Sequence, residues 1–522
     1  MSLRSENLEK LDGGSFDVLI VGGGINGAVS AAALTDRGLR VALIDRGDFA
    51  GFTSQESSNL VWGGFKYLEN YELPLVWKLC TSRNHLMRQY PTQISEVGFL
   101  ATLDRSSPFP PWLAAIGSVG YWAIGRFFTS RPSYFGTDKI NEIEPVVNTA
   151  GASGAIEYMD AYLKDNDARF VWGFVRSALD GGATAVNYAS LAGSNRSANG
   201  WEVTVLDELT NTKLDLEAAS IVNAAGPFVD GLNEKWDLKT KHRIVYSKGI
   251  HLVVPRLTES ERVLAFFDDT QRLFYVIPMA HRSVIGTTDT RTEIADEGVN
   301  DEDRQFLLDQ INSRLNLTSP LTTHDIIGER SGVRPLVVET SGSDHTDTDW
   351  TKLSRKHEVE TDENARVVSI FGGKLTDCLN VGEEVAEALE ELAIPLTDAS
   401  DDWFGEPSES VRNAFYAEAA KVGLDRAPAV ERAASAAEVL WRRHGRAAYQ
   451  IVRAIEHDPE MGKPALGDSD VLWAEVALMG EREMIATIDD FLRRRTKLSL
   501  IYRRDELLAH PDMPRVQQLL GL

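Results

Sequence analysis

Two cysteines, Cys80 and Cys378, are all that the 522 residues contain. That is too few for a disulfide framework or a cysteine-rich metal site, so a reducing compartment is the natural reading and no metal is expected. Basic side chains are also scarce: 54 Lys and Arg stand against 78 Asp and Glu, giving a formal charge of −24. Binding a nucleic-acid backbone requires a basic face, so nucleic acid is excluded as a general partner, and an anionic substrate must be met by a local positive pocket. The opening MSLRSENLEKLDGG has no apolar signal region, which points to the cytoplasm. A long membrane span is missing too. Residues 108–128, PFPPWLAAIGSVGYWAIGRFF, carry no charge before Arg126, but Pro111, Gly117 and Gly120 break the run. It falls short of spanning about 30 Å of hydrocarbon. Trp112, Tyr121 and Trp122 suit an element lying at a membrane interface, with Arg126 and Arg131 for headgroups, and they suit a buried helix or an intersubunit contact equally. There is no internal repeat and no low-complexity segment.

What is present begins at residues 17–45, DVLIVGGGINGAVSAAALTDRGLRVALID. A β-branched run stops at Gly22, and Gly22, Gly24 and Gly27 give the G-x-G-x-x-G spacing, with Ile25 and Asn26 between them. In that pattern one glycine permits the tight turn, the second lets backbone approach a pyrophosphate, and the third lets the helix pack on its strand. A small-residue helix, a second apolar run and a terminal Asp45, placed to hold a ribose hydroxyl, complete the unit. By itself it announces a dinucleotide without choosing between a flavin and a nicotinamide.

Hydrophobic content of 43% supports a sizeable core in two or three domains. Further turns follow that suit a long cofactor. Thr53, Ser54, Ser58, Gly63 and Gly64 lie in a loop whose hydroxyls and amides fit flavin oxygens or, equally, a surface turn with caps. Ala225 and Gly226 follow a buried strand. Gly373, Lys374, Leu375 and Thr376 follow another, in a turn whose amides face an anion. Residues 157–171 read as a turn opening a helix that runs to Leu179. Between 241 and 289 the pattern changes to antiparallel runs, predicting a substrate-side sheet. Past 397 the composition is helical throughout. Arg493, Arg494, Arg495 and Lys497 form the densest basic cluster, read as a solvated helix face, with membrane contact or subunit pairing as the functional alternatives.

The motifs VGGGINGA, TSQESSNLVWGGFKYLE, YMDAYLKDNDAR, NAAGPFVD, KGIHLVVP, VIPM with IGTTD, SGVRPL, SIFGGKLTD and DDFLRRRTK occur in one order across most of the chain. In this the sequence resembles the FAD-dependent glycerol-3-phosphate dehydrogenases. The resemblance implies an α/β fold: an FAD-binding Rossmann-like domain of glutathione-reductase or D-amino-acid-oxidase type over residues 1–395, an interleaved antiparallel substrate sheet mainly at 241–325, and an all-α domain at 396–522. It implies oxidation of sn-glycerol 3-phosphate to dihydroxyacetone phosphate, FAD as cofactor, a quinone as electron acceptor, and a cytoplasmic protein peripheral on the inner face of the cell membrane. A membrane surface and a homodimer contact are the further partners it leaves open. His251 is then the candidate base; Arg334 and Lys374 act beside it, with Lys66, Tyr67 and Thr376 as substrate ligands. The turns listed above become the FAD contacts, and Cys378 is a packed thiol. The chain departs from the family pattern at Trp62, where histidine is usual, and at Lys66, where arginine is usual. Lysine keeps the charge but loses the planar fork. An oxygen-using oxidase and an oxidoreductase of another small hydroxy acid or amine are the rival readings within the fold. A flavin-binding assembly component without turnover is the rival outside it.

Overall fold

The computed structural model describes residues 2–104, 107–268, 271–340, 356–400, 403–426 and 434–522. Its first layer is a six-stranded sheet with Val18–Val21 near the middle, flanked by Val41–Ile44 and Ile221–Asn223 in parallel register. Thr184–Val186 extends it on one side and Val367–Phe371 on the other, and Glu358–Asp362 closes the edge antiparallel. The central strands are buried on both faces, which is why they read as unbroken apolar runs.

The helix Ile25–Asp36 leaves the first strand through the glycine turn and is buried from Asn26 to Thr35. Its alanines let Val171, Val175 and Ala178 of helix Asp167–Asp180 and Val381, Val385 and Leu389 of helix Cys378–Glu391 join it in one core. Two glycines make this possible. Gly22 adopts φ +108°, with a would-be Cβ 2.5 Å from the Ala224 carbonyl oxygen, and a Cβ at Gly27 would sit 1.8 Å from the Gly22 carbonyl oxygen. No side chain caps the helix from its own N-cap residue, Gly24. The Ser54 hydroxyl, 29 residues on, accepts from the Ile25 amide at 3.0 Å instead.

The second layer is a ten-stranded, mostly antiparallel sheet. His242–Pro255 is its long spine, paired along its length with Gly328–Glu339 and on its other side with Arg282–Gly286. The sheet is wider than the span 241–325 suggests, since it recruits Leu60–Val61, Ile94–Leu103, Gly154–Leu163 and Gly328–Glu339. Residues 157–163 are therefore strand, not the opening of a helix. Their short pattern fits both periods, and pairing with Ile94–Leu103 decides it. The helix proper starts at Asp167, capped by the Asn166 side chain.

Beyond residue 408 every main element is helical, from Glu409–Lys421 to Met513–Leu520, around two apolar clusters. This part is held to the first layer by the basic cluster that sequence reading placed in solvent. Arg495 donates through both terminal nitrogens to Asp48, at 2.8 and 2.9 Å, and Arg494 Nε reaches Asp48 Oδ2 at 2.7 Å. Lys497 is buried as well and donates to the Lys164 carbonyl. Buried guanidinium groups persist only with such partners, so this cluster is an interdomain anchor. The solvated and membrane-facing readings of Arg493, Arg494, Arg495 and Lys497 are overturned. Helix Pro111–Ile124 does lie at the surface, with Trp112 64% and Ile116 61% exposed. No helix among the described residues is long and apolar enough to cross a membrane.

Candidate active site

Where the two layers meet, two connected cavities of about 550 and 350 Å³ run end to end, sharing Ile25, Thr53, Ser54, Pro335 and Gly373 in their walls. Gly22, Gly24, Asn26, Asp45, Ala225 and Gly226 line the larger one. Gly27 does not reach the cavity and serves the packing beneath it. Asp45 accepts from the Gly23 amide at 2.6 Å and the Gly47 amide at 2.8 Å, and burial raises its carboxyl to about 6 against the pull of those amides. Arg46, not singled out from sequence, also lines this cavity, its guanidinium 3.9 Å over the Phe228 ring. Asn26 donates to the Gly372 carbonyl at 2.9 Å, while its buried Oδ1 has no partner among the described residues.

These features fit a flavin dinucleotide. The glycine turn leaves no Cβ in the way, the helix start offers backbone N–H groups without a cap from its own turn, and Asn26 Oδ1 is a buried acceptor awaiting a donor. Ser54, Asp45, Arg46, Ala225 and Gly373 would hold the group along its length.

The smaller cavity is walled by the spine of the second sheet. Ser247, Gly249 and His251 lie on one face, directly opposite Arg334, Gly332 and Arg330 of the neighbouring strand. Gly249 leaves the space in which the Arg334 guanidinium crosses toward the cavity, since a Cβ there would stand 2.0 Å from Arg334 Nη2 in its present position. There Nη2 donates to the Thr287 hydroxyl at 2.8 Å, and Nη1 lies 3.4 Å from Asp289 Oδ1. His251 is buried, with no partner for either ring nitrogen among the described residues. Burial, then the charges of Arg330 and Arg334, hold its pKa well below the ordinary value, so the ring is neutral.

The opposite wall comes from the first layer. Lys374 Nζ donates to the Tyr67 hydroxyl at 2.7 Å and lies 4.1 Å from the centre of its ring. Thr376 Oγ1 donates to the Trp62 carbonyl at 3.2 Å, and the Trp62 and Tyr67 rings are 5.6 Å apart. Lys66, Ser58 and Leu375 also line the space. The Thr53 hydroxyl turns back to the Val333 carbonyl at 2.8 Å. Gly63 and Gly64, expected at the cofactor, line neither cavity. Gly63 faces Tyr121, Arg83 and Cys80 instead. Cys378 is buried, packed in the first layer, and burial pushes its thiol up. Arg272, Tyr275, Thr287 and Asp289 join the lining without having been assigned from sequence. The last two stand in the IGTTD motif, which was the available signal; a lone arginine ahead of a strand gave none.

The family profile described as FAD dependent oxidoreductase matches residues 17–367, and that of the C-terminal domain of alpha-glycerophosphate oxidase matches 413–519. The aerobic glycerol-3-phosphate dehydrogenase of Bacillus subtilis is 30% identical over 72% of this chain and 67% of its own length. That of Staphylococcus aureus is 28% identical over 75% and 70%. The fold is that of a glycerol-3-phosphate dehydrogenase from Bacillus halodurans complexed with FAD, with a TM-score of 0.74 and 23% identity over 99% of this chain and 93% of that one. An L-alpha-glycerophosphate oxidase from Mycoplasma pneumoniae with FAD bound aligns at TM-score 0.56 and 16% identity, covering 75% of this chain and 98% of that one. The cavities, the glycine turn and these matches agree: the chain belongs to the FAD-dependent oxidoreductases, in the family of the aerobic glycerol-3-phosphate dehydrogenases.

Proposed function

We propose that this enzyme oxidises sn-glycerol 3-phosphate to dihydroxyacetone phosphate and passes the electrons through FAD to a membrane quinone. The carrying observation is one of charge. In a chain of net charge −24, Lys66, Arg272, Arg334 and Lys374 outnumber Glu56 and Asp289 in the lining of a single cavity of about 350 Å³, a volume suited to a three-carbon phosphate ester. The Arg334 fork supplies paired charge-assisted bonds to phosphate oxygens, and Lys374 with the Tyr67 hydroxyl supplies a second hold from the facing wall. Bound FAD supplies the hydride acceptor. The chain's own task is to orient the alcohol and take its hydroxyl proton. His251, in the cavity wall and without a competing partner among the described residues, is the base that accepts that proton at a ring nitrogen. The relatives named aerobic glycerol-3-phosphate dehydrogenase support the same substrate. Anaerobic addition of glycerol 3-phosphate should bleach the flavin absorbance of the purified protein; an unbleached spectrum would exclude this substrate. Reoxidation by a soluble quinone without matching hydrogen peroxide separates the dehydrogenase from an oxidase.

The electron acceptor lies in a lipid phase, and helix Pro111–Ile124 has the surface for one. Trp112, Leu113, Ile116 and Val119 are exposed along it, Phe127 and Phe128 follow, and Arg126 lies 5.9 Å over the ring of exposed Trp77 on the neighbouring helix Leu73–Gln89. The helix itself carries no charged residue. Interfacial docking through this apolar face accommodates the acidic whole, because it relies on buried apolar area. Co-sedimentation with phosphatidylcholine vesicles, lost in Trp112→Ser/Ile116→Ser, is the expected outcome; retention in that variant would place the contact elsewhere.

A further inference from the structure

Asp160 is a fully buried carboxylate in the middle of strand Gly154–Leu163, and it lines neither cavity. Its Oδ1 accepts from the Gly63 amide at 2.9 Å and from Arg83 Nη1 at 3.0 Å, and its Oδ2 accepts from the Tyr121 hydroxyl at 2.8 Å. Arg83 Nη1 also donates to the Tyr121 oxygen at 3.1 Å, and Asn84 ties the end of helix Pro111–Ile124 by donating to the Gly125 carbonyl at 2.9 Å. A buried ion pair of this kind is weak evidence of stabilisation, since apolar residues of similar volume often serve as well. What it fixes here is a backbone position. Gly63 follows Trp62, whose carbonyl receives the Thr376 hydroxyl and whose ring packs on Tyr67, the partner of Lys374. The fit is close on the other side as well. A Cβ on Gly63 would lie 2.2 Å from the Tyr121 hydroxyl oxygen and 2.9 Å from Arg83 Nη1.

We propose that Asp160 and Tyr121 are positioning residues for the substrate cavity: they hold the Gly63 amide, and through it set Trp62 against Thr376, Tyr67 and Lys374. Tyr121 belongs to the buried face of the same helix whose outer face is apolar and exposed, so the wall of the cavity is referenced to that helix. The inference rests on reading the cavity as the glycerol 3-phosphate site, but the mechanical link itself does not require that substrate.

The decisive variant is Tyr121→Phe in the FAD-loaded protein, which removes one oxygen and keeps the ring. Removing one hydrogen bond of this kind should raise KM for glycerol 3-phosphate about 3- to 10-fold with kcat nearly unchanged and flavin content at the wild-type level, with a modestly lower melting temperature because Asp160 loses one buried donor. Independently of activity, hydrogen exchange at the Gly63 amide should accelerate on the order of 10-fold while exchange in strand Val18–Val21 stays constant. Gly63→Ala should raise KM more than Tyr121→Phe, and the double variant should recover part of that loss because the atom nearest the new methyl is gone. Unchanged Gly63 exchange in Tyr121→Phe, or a double variant whose effects simply multiply, would overturn the inference. If the wild-type flavin is not bleached by glycerol 3-phosphate, the substrate assignment fails and the exchange and double-variant tests still decide the link, the latter read as exchange of the backbone amide at position 63.

Discussion

The C-terminal arginines and the basic residues around the cavity are equally conspicuous as positive charges in an acidic chain, yet they end in opposite surroundings. Arg494 and Arg495 are met by carboxylates at 2.5 to 2.9 Å, Asp48 taking both and Asp490 adding a further bond to Arg494. Around the cavity Arg334 is met by a hydroxyl, a carbonyl and one carboxylate at 3.4 Å, and Lys374 by a phenol. The first arrangement buries guanidinium groups on carboxylates and fixes two parts of the chain; the second sets basic side chains in the wall of an open space. Charge count is the same kind of signal in both; burial against Asp48 makes Arg494 and Arg495 an anchor, and a place in a cavity wall makes Arg334 and Lys374 site candidates.

Removing the carboxylate from the anchor is the strongest way to test that contrast. Asp48→Ala leaves two buried guanidinium groups without their main partner and should cost about 3–5 kcal/mol of unfolding free energy, read as a lower denaturant midpoint. A loss below about 1 kcal/mol would mean that the cluster is solvated after all. The converse holds at the cavity. Arg334→Ala should leave the midpoint nearly unmoved while kcat/KM for glycerol 3-phosphate falls on the order of 10- to 100-fold, the value of charge-assisted bonds to phosphate. Unaltered turnover would remove Arg334 from the phosphate site.

A third charged cluster lies between these extremes. His357 Nδ1 stands 3.1 Å from Asp377 and Nε2 2.8 Å from Glu384, just behind the turn that carries Lys374 and Thr376. Burial opposes the charged ring, but hydrogen bonds to Asp377 and Glu384 outweigh it and raise the histidine from 6.5 to about 8. A group raised in the folded state contributes its full stabilisation below its unfolded pKa, and loses it as pH rises through the folded one. The melting temperature should therefore decline between pH 6.5 and values above 8, by the equivalent of roughly 2 kcal/mol or less, and His357→Gln should flatten that decline. A slope that persists in the variant assigns it to other groups. The smallest effect is expected outside all three clusters. Trp112→Ser should shift stability by no more than about 0.5 kcal/mol, because the ring is exposed. A larger loss would show that the ring packs against another part of the protein.

Legibility in the sequence follows the same division. The turn Gly22–Gly24–Gly27, its strand and its helix were readable because their signal is local in the chain, glycine spacing between an apolar run and a small-residue helix, although strand Ile221–Asn223 and the Ser54 hydroxyl complete them from afar. Arg334, Lys374 and His251 were readable only through ordered motifs, since a single basic residue carries no sign of where it points. Arg272 was missed for that reason. Arg493–Arg495 were misread because the partner that buries two of them, Asp48, lies more than 440 positions away, and no periodicity encodes such a pairing. Residues 157–163 were misread because seven residues fit two periods until Ile94–Leu103 pairs with them.

The long reach of Asp48 also bears on how the protein is made. During synthesis the strands around Asp48 emerge well before Arg494 and Arg495, and until those arrive the Asp48 side chain has, among the described residues, the Asn187 amide at 2.8 Å. A carboxylate waiting in a forming core keeps that corner hydrated and open. Completion of that corner is thereby tied to the arrival of the helical part, and the nucleotide-binding part expressed without it should exchange its amides faster around Asp48.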